Sequence, residues 1–217
     1  LAPYRMIAAD GTLVPPTPDA RPLVPVAGPL PVTFENPPGL YGSETGVFAH
    51  NLLDPATSEI YKDGVYVLEM SSYQLELTHT LAFDVAVLLN ITPDHLDRHG
   101  GMDGYVAAKT RIFESQRVSQ TAVIGVDDEH GRAIRARFAA AGQQTIIPIS
   151  AEGPVAGGIY AHDGWLQDDR AGKTERVLRL ADATSLLGKH NWQNAAAAFA
   201  AGAAIGLAKS KIVAGII

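Results

Sequence analysis

Two short apolar runs, Val65–Leu68 and Val85–Leu89, are each followed at once by residues that carry chemistry. Their four or five residues and their β-branched content suit buried strands rather than helices. The first strand, Val65–Met70 at its longest, passes through Glu69; the second passes through Asn90 into Thr92-Pro93-Asp94-His95. In an open parallel sheet, ligands sit in the crevice beyond the carboxyl ends of the strands. An acid after one strand and an Asp-His pair after the next would look into one crevice. That is a metal or phosphate site in outline.

The sequence after each run reads as helix. Ser71-Ser72-Tyr73-Gln74-Leu75-Glu76 is a strand-to-helix turn whose hydroxyls can cap. Glu69 before it is either a solvated strand end or an acid that holds magnesium opposite phosphates. Thr92 fits an N-cap and Pro93 the first helical position, which puts Asp94 and His95 in a first turn that favours anions. Gly100-Gly101 stops this helix. His95 and His99, four apart, could pair on zinc, or His99 could simply meet the free carbonyls of the last turn. A further helix begins at Met102 or Asp103, with Tyr105, Ile112 and Phe113 on one face. Lys109 lies on that face. It either snorkels to the edge of the core or, desolvated, becomes a neutral amine available for chemistry.

Beyond Ser119 the pattern is strand Thr121–Val126, helix Asp128–Ala141 and strand Thr145–Ile149. The expected fold is α/β: a doubly wound, mostly parallel sheet flanked by helices, with right-handed crossovers. Asp127-Asp128 opens a solvated helix. Residues 151–187, with many glycines, suggest a small antiparallel appendage. Gly172-Lys173-Thr174 within it reads as a hairpin turn, because no glycine stands five positions earlier and no buried strand leads in. Gly188-Lys189-His190-Asn191-Trp192-Gln193-Asn194 enters an alanine-rich helix reaching Leu207. Asn191 and Asn194 share a face, where their amides either cap the helix or both give to and take from an adenine edge.

Composition limits the alternatives. The 217 residues are 47% hydrophobic and 18% charged, the range of soluble globular chains, and the net charge of −6 argues against non-specific binding to nucleic acid or anionic membranes. With no cysteine, disulfides and thiolate zinc sites are excluded. No run approaches the ~20 apolar residues of a membrane span and no signal peptide opens the chain, so the expected location is cytoplasmic. Ten of the fourteen prolines fall in residues 1–38. Residues 1–62 therefore read as an irregular, proline-rich segment, and residues 63–217 as the folded domain. Residues 1–62 hold no GxxxxGK[ST] phosphate loop.

Four stretches in order, EMSSYQLE, LNITPDHLDRHG, YVAAK and GKHNWQNAAAA, resemble the central domain of the Mur ligases, the ATP-dependent amino-acid ligases of peptidoglycan synthesis. The Ser-Ser-Tyr-Gln-Leu-Glu wording is similar to the D-glutamate-adding branch. The resemblance covers roughly residues 64–207 and implies the following expectations. The substrates would be UDP-N-acetylmuramoyl-L-alanine and D-glutamate, joined through an acyl phosphate at the expense of ATP. Glu69 and His95 would hold Mg2+ or Mn2+, Lys109 would be carbamylated beside the metal, and Asn191 and Asn194 would contact adenine. A monomer with no nucleic-acid or membrane partner is expected. The missing phosphate loop suggests a truncated central domain with an altered front end. Other readings are a non-catalytic nucleotide- or partner-binding relative, or a metal-dependent hydrolase built on His95 and His99.

Overall fold

The computed structural model of the chain describes residues 65, 67–183, 186 and 188–217, with the backbone of one short strand pair ahead of them. That pair, β1 (Met6–Ile7) and β2 (Leu13–Val14), is antiparallel, with Met6 opposite Val14. The rest of the proline-rich segment lies outside the described residues. The chain divides into two compact units, Leu1–Gln74 and Leu75–Ile217.

Among the described residues the first expected strand does not form. Val65 and Val67–Met70 belong to no strand, and Val65 and Val67 are 65% and 85% exposed. A four-residue apolar run only permits a strand; the element exists where a neighbour supplies ladder hydrogen bonds. The turn after it does form helix, α1 (Ser72–Glu76). Its start is a reciprocal capping box: Ser71 N donates to Gln74 Oε1 (2.8 Å) and Gln74 N donates to Ser71 Oγ (3.3 Å).

The second unit is built on a six-stranded sheet whose spatial order is its chain order. β3 (Val85–Leu88) is followed by α2 (Leu96–His99), α3 (Met102–Glu114), β4 (Thr121–Gly125), α4 (Glu129–Ala141) and β5 (Thr145–Ser150). Then come β6 (Ile159–His162), β7 (Trp165–Asp168), β8 (Glu175–Arg179), α5 (Lys189–Ala204) and α6 (Lys209–Ile216). β3 through β6 pair in parallel, while β6–β7 and β7–β8 pair antiparallel. The antiparallel part expected as an appendage continues the same sheet. Residues 151–158 suffice to link two parallel neighbours because β5 and β6 are staggered: only Ile149–Ser150 meet Ile159–Tyr160, so the chain retraces almost no distance.

Alternation along the strands feeds two cores. Ala86, Leu88, Ala122 and Ile124 turn to Tyr105 and Phe113 of α3 and to Ile134 and Phe138 of α4. Phe113 and Phe138 meet edge to face at 5.5 Å. Val123, Ile147, Ile149 and Ile159 pack instead on Ala196 and Phe199 of α5 and Ile212 of α6. The parallel part of the sheet is therefore covered on both faces, which is why β3, β4 and β5 are largely apolar. Gly172 (φ +71°) sits in the β7–β8 turn, as the sequence suggests for Gly172-Lys173-Thr174. Among the described residues no helix is long and apolar enough to cross a membrane.

Candidate active site

At the carboxyl ends of β3, β4 and β5 the chain turns polar. Ile91 is buried beneath the turn, whereas Thr92, Pro93, Asp94 and His95 are all exposed above it. A partly buried network pins the strand ends together. Asn90 Nδ2 donates to Gln193 Oε1 (3.2 Å), and Gln193 Nε2 donates to Asp127 Oδ2 (3.0 Å). Asp127 also accepts from Ser150 Oγ and from Ala151 N (2.9 Å). Asp128 caps α4 through Gly131 N and accepts from Ile91 N. Gly125 permits this closeness, since a Cβ there would fall 1.7 Å from the Leu89 carbonyl oxygen.

The expected N-cap is displaced. α2 starts at Leu96, so Thr92 and Pro93 do not open it and Asp94 and His95 precede its first turn. The N-cap is His95 itself, held left-handed at φ +49°, ψ +34°. A non-glycine residue there costs on the order of 1 kcal/mol and is most often found where a side chain must be aimed. His95 Nε2 lies 3.2 Å from Asp94 Oδ2. Gly100, at φ +70°, ends α2 as anticipated.

The structure does not gather His95 and His99 into a metal cluster: His95 Nε2 lies beside Asp94 and His99 Nδ1 beside Glu76. His99 is buried and its Nδ1 donates to Glu76 Oε1 (2.8 Å), an assignment required by a carboxylate that only accepts. Glu76 also holds Arg98 (3.0 Å). No group of three His, Cys, Asp or Glu side chains poised for a metal occurs among the described residues. The hydrolase reading loses its centre.

Tyr105 is the platform of the site. His99 packs on it at 5.5 Å between ring centroids, and Lys109 Nζ lies 5.6 Å from the ring centre. Lys109 is half-buried, on the face of α3 that the sequence assigns it. Burial raises the Tyr105 hydroxyl above its ordinary value of 10.0, and the nearby Asp94 charge raises it further. Tyr105 and the Lys109 amine thus lie together beside the Asp94 carboxylate. Glu69 is exposed and belongs to the first unit. Asn191 is half-buried and Asn194 exposed, both in the opening turns of α5.

Sequence reasoning missed Glu76, Asp127 and Gln193 as members of this region, and offered His99 only as a zinc partner of His95 or a partner of the last-turn carbonyls. Only the i,i+4 spacing of Tyr105 and Lys109 pointed to the stack. A cavity of ≈ 580 Å³, lined by Ala82, Gln116 and Gly142 among others, lies at the opposite, amino ends of the strands.

A family model, the Mur ligase middle domain, matches residues 55–202. The chain belongs to the Mur ligase family. Over 162 residues it is 53% identical to the UDP-N-acetylmuramoylalanine–D-glutamate ligase of Caulobacter vibrioides, covering 73% of this chain and 34% of that protein. Over 149 residues it is 52% identical to the like-named enzyme of Phenylobacterium zucineum, covering 69% and 32%. The chain thus spans about a third of the length of these curated Mur ligases. A solved UDP-N-acetylmuramoyl-L-alanyl-D-glutamate–2,6-diaminopimelate ligase shares the fold, with TM-score 0.53 at 26% identity over 69% of this chain and 31% of that one. The Mur ligase middle domain therefore supplies the mixed sheet, with Asp94, His95, Tyr105, Lys109, Asn191 and Asn194 near its carboxyl edge.

Proposed function

We propose that this chain is the central part of an ATP-dependent ligase that joins D-glutamate to UDP-N-acetylmuramoyl-L-alanine in the cytoplasm. The domain begins near residue 63 on this reading. The observation that carries it is the half-buried Lys109 stacked on Tyr105, next to the exposed Asp94-His95 turn, in a chain so similar to enzymes of that name.

The donors fit the groups the reaction needs. Mg2+ prefers oxygen donors and keeps part of its water, so the exposed His95 imidazole would serve it only beside carboxylate-like oxygens. Glu69, His95 and a carbamylated Lys109 would hold it, and it would neutralise crowded phosphate and carboxylate charge. The two carboxamides of Asn191 and Asn194 can each donate and accept, which is what an adenine edge asks for.

In the proposed reaction the muramoyl-alanine carboxylate attacks the γ-phosphorus of ATP and ADP departs. The D-glutamate amine then attacks the acyl carbon, a C–N bond forms, the C–O bond to phosphate breaks and the amine proton is lost. Lys109 contributes by position: the Tyr105 ring holds its stem, and a neutral Nζ reacts with carbon dioxide to give a carboxylate at the same place. His95, set by its left-handed backbone, aims its ring at the same edge.

Lys109→Ala in the full-length protein tests this. Turnover is expected to fall at least a hundredfold, of the order of losing a placed charge-stabilising group, and to return in part with added formate or acetate. A carbamate carbon resonance under ¹³C-labelled carbon dioxide should vanish in the variant. Undiminished turnover in Lys109→Ala overturns the reading.

A further inference from the structure

Gln193 lies in α5 between the two asparagines, yet it is buried where Asn194 is exposed. A carboxylate can only accept, so Asp127 obliges Gln193 to present Nε2 to it and therefore Oε1 to Asn90. One side-chain amide thus ties α5 to the ends of β3 and β4, and Asp127 extends the tie to the end of β5 through Ser150 and Ala151. Gly125 leaves the amide its room: a Cβ there would approach Gln193 Nε2 to 3.2 Å. Asn90 is also the first residue of the turn that leads to Asp94 and His95.

We propose that Gln193 is a positioning residue for nucleotide binding, which sets the rotation and height of α5 so that Asn191 and Asn194 meet adenine in register with the Asn90–His95 turn. The inference rests on the ligase reading above. Gln193 acts through its neighbours, because its two polar atoms are already committed to Asn90 and Asp127. A buried, fully paired amide of this kind confers register on the elements it joins.

The test is calorimetric titration of ATP with Mg2+ into the full-length protein, beside its thermal midpoint and steady-state kinetics. Gln193→Ala is expected to raise the ATP dissociation constant and KM about tenfold, the scale of one hydrogen bond to a charged group, with kcat within about twofold. Gln193→Glu opposes two carboxylates and should lose affinity likewise. Gln193→Met keeps the bulk of the side chain, gives up both hydrogen bonds and should lose affinity likewise; it carries the test if Gln193→Ala fails to fold. Wild-type affinity in Gln193→Ala or Gln193→Met overturns the inference. Should Asn191→Ala and Asn194→Ala lose affinity while the Gln193 variants keep it, positioning fails and the ligase reading stands. Should the asparagine variants keep full affinity, the adenine assignment falls and takes this inference with it.

Discussion

Tyr105 is the residue on which the site turns, and its ionisation reports on the surroundings. Burial is the larger reason its hydroxyl stays protonated, and Asp94 the smaller. Asp94→Asn should therefore lower the Tyr105 pKa part of the way towards 10.0 and no further. The ultraviolet phenolate titration, read as wild type minus Tyr105→Phe, measures it. The linked stability has a definite sign: a raised folded pKa contributes fully below the unfolded value, and that contribution is lost as pH climbs through the folded one. The Tyr105-linked loss of stability at alkaline pH should accordingly be smaller in Asp94→Asn than in the wild type. Lys109 was legible from its helical spacing, because a lysine on an apolar face stands out. Gln193 was not, because a glutamine between two asparagines reads as surface until tertiary contacts bury it.

At the scale of elements, the short helices survive through side chains contributed from elsewhere. Five residues are too few for α1 to be stable by its own hydrogen bonds. Arg111 of α3 donates through Nε to the Leu75 carbonyl (3.0 Å), which also accepts from Thr78 N and Oγ1, and through Nη2 to the Thr78 carbonyl just past the helix end (2.7 Å). Glu76 meanwhile anchors Arg98 and His99 of α2. Arg111→Ala should speed amide hydrogen exchange around Leu75–Thr78 by tenfold or more, for a loss of about 1.5–3 kcal/mol, with the centre of β4 unaffected. Unchanged exchange at Leu75–Thr78 would mean that packing alone holds α1. The helix α4 was legible because its length and its opening aspartate agree, and α5 from its alanine-rich run, although it ends at Ala204 rather than at Leu207. The start of α2 was not. Thr92-Pro93 carries every local sign of a helix opening, and the hydrogen bond from Ile91 N to Asp128, a tertiary tie, helps to hold the turn just before it.

Across the whole molecule, the two halves of the sheet depend on different glue. The parallel half is buried on both faces, whereas the antiparallel half meets α5 through Ala161, Leu166 and the partly buried Val177 and Leu178, with one charged pair at its edge. Arg170 grips Asp168 with Nε and Nη2 (2.9 and 2.7 Å) and lies over the Phe199 ring. Burial would raise the Asp168 carboxyl, but hydrogen bonds from the Arg170 side chain and backbone, with the charges of Arg170 and Lys209, together hold it below 3.8. A depressed folded pKa contributes stability above the unfolded value, and this is lost as pH falls through the folded one. Arg170→Ala should cost about 1–2 kcal/mol at neutral pH by urea unfolding, partly screened by solvent, and the difference should shrink below about pH 4. A difference that persists there would assign the loss to the Phe199 contact alone. The order of these strands and their antiparallel sense were legible from glycine-punctuated short runs. Their continuity with the parallel sheet was not, because the stagger of β5 against β6 is a matter of register, which local composition does not encode.

Because each strand lies beside the one before it in the chain, the sheet can lengthen in the order a ribosome delivers it. β4 finds β3 already present, β5 finds β4, and no strand has to be held open for a later one to slip between. Only α5, which covers the second face and closes the Asn90–Gln193–Asp127 network, must wait for nearly all of them. The domain can thus form most of its framework during synthesis and become competent for ligand only as its last helices emerge.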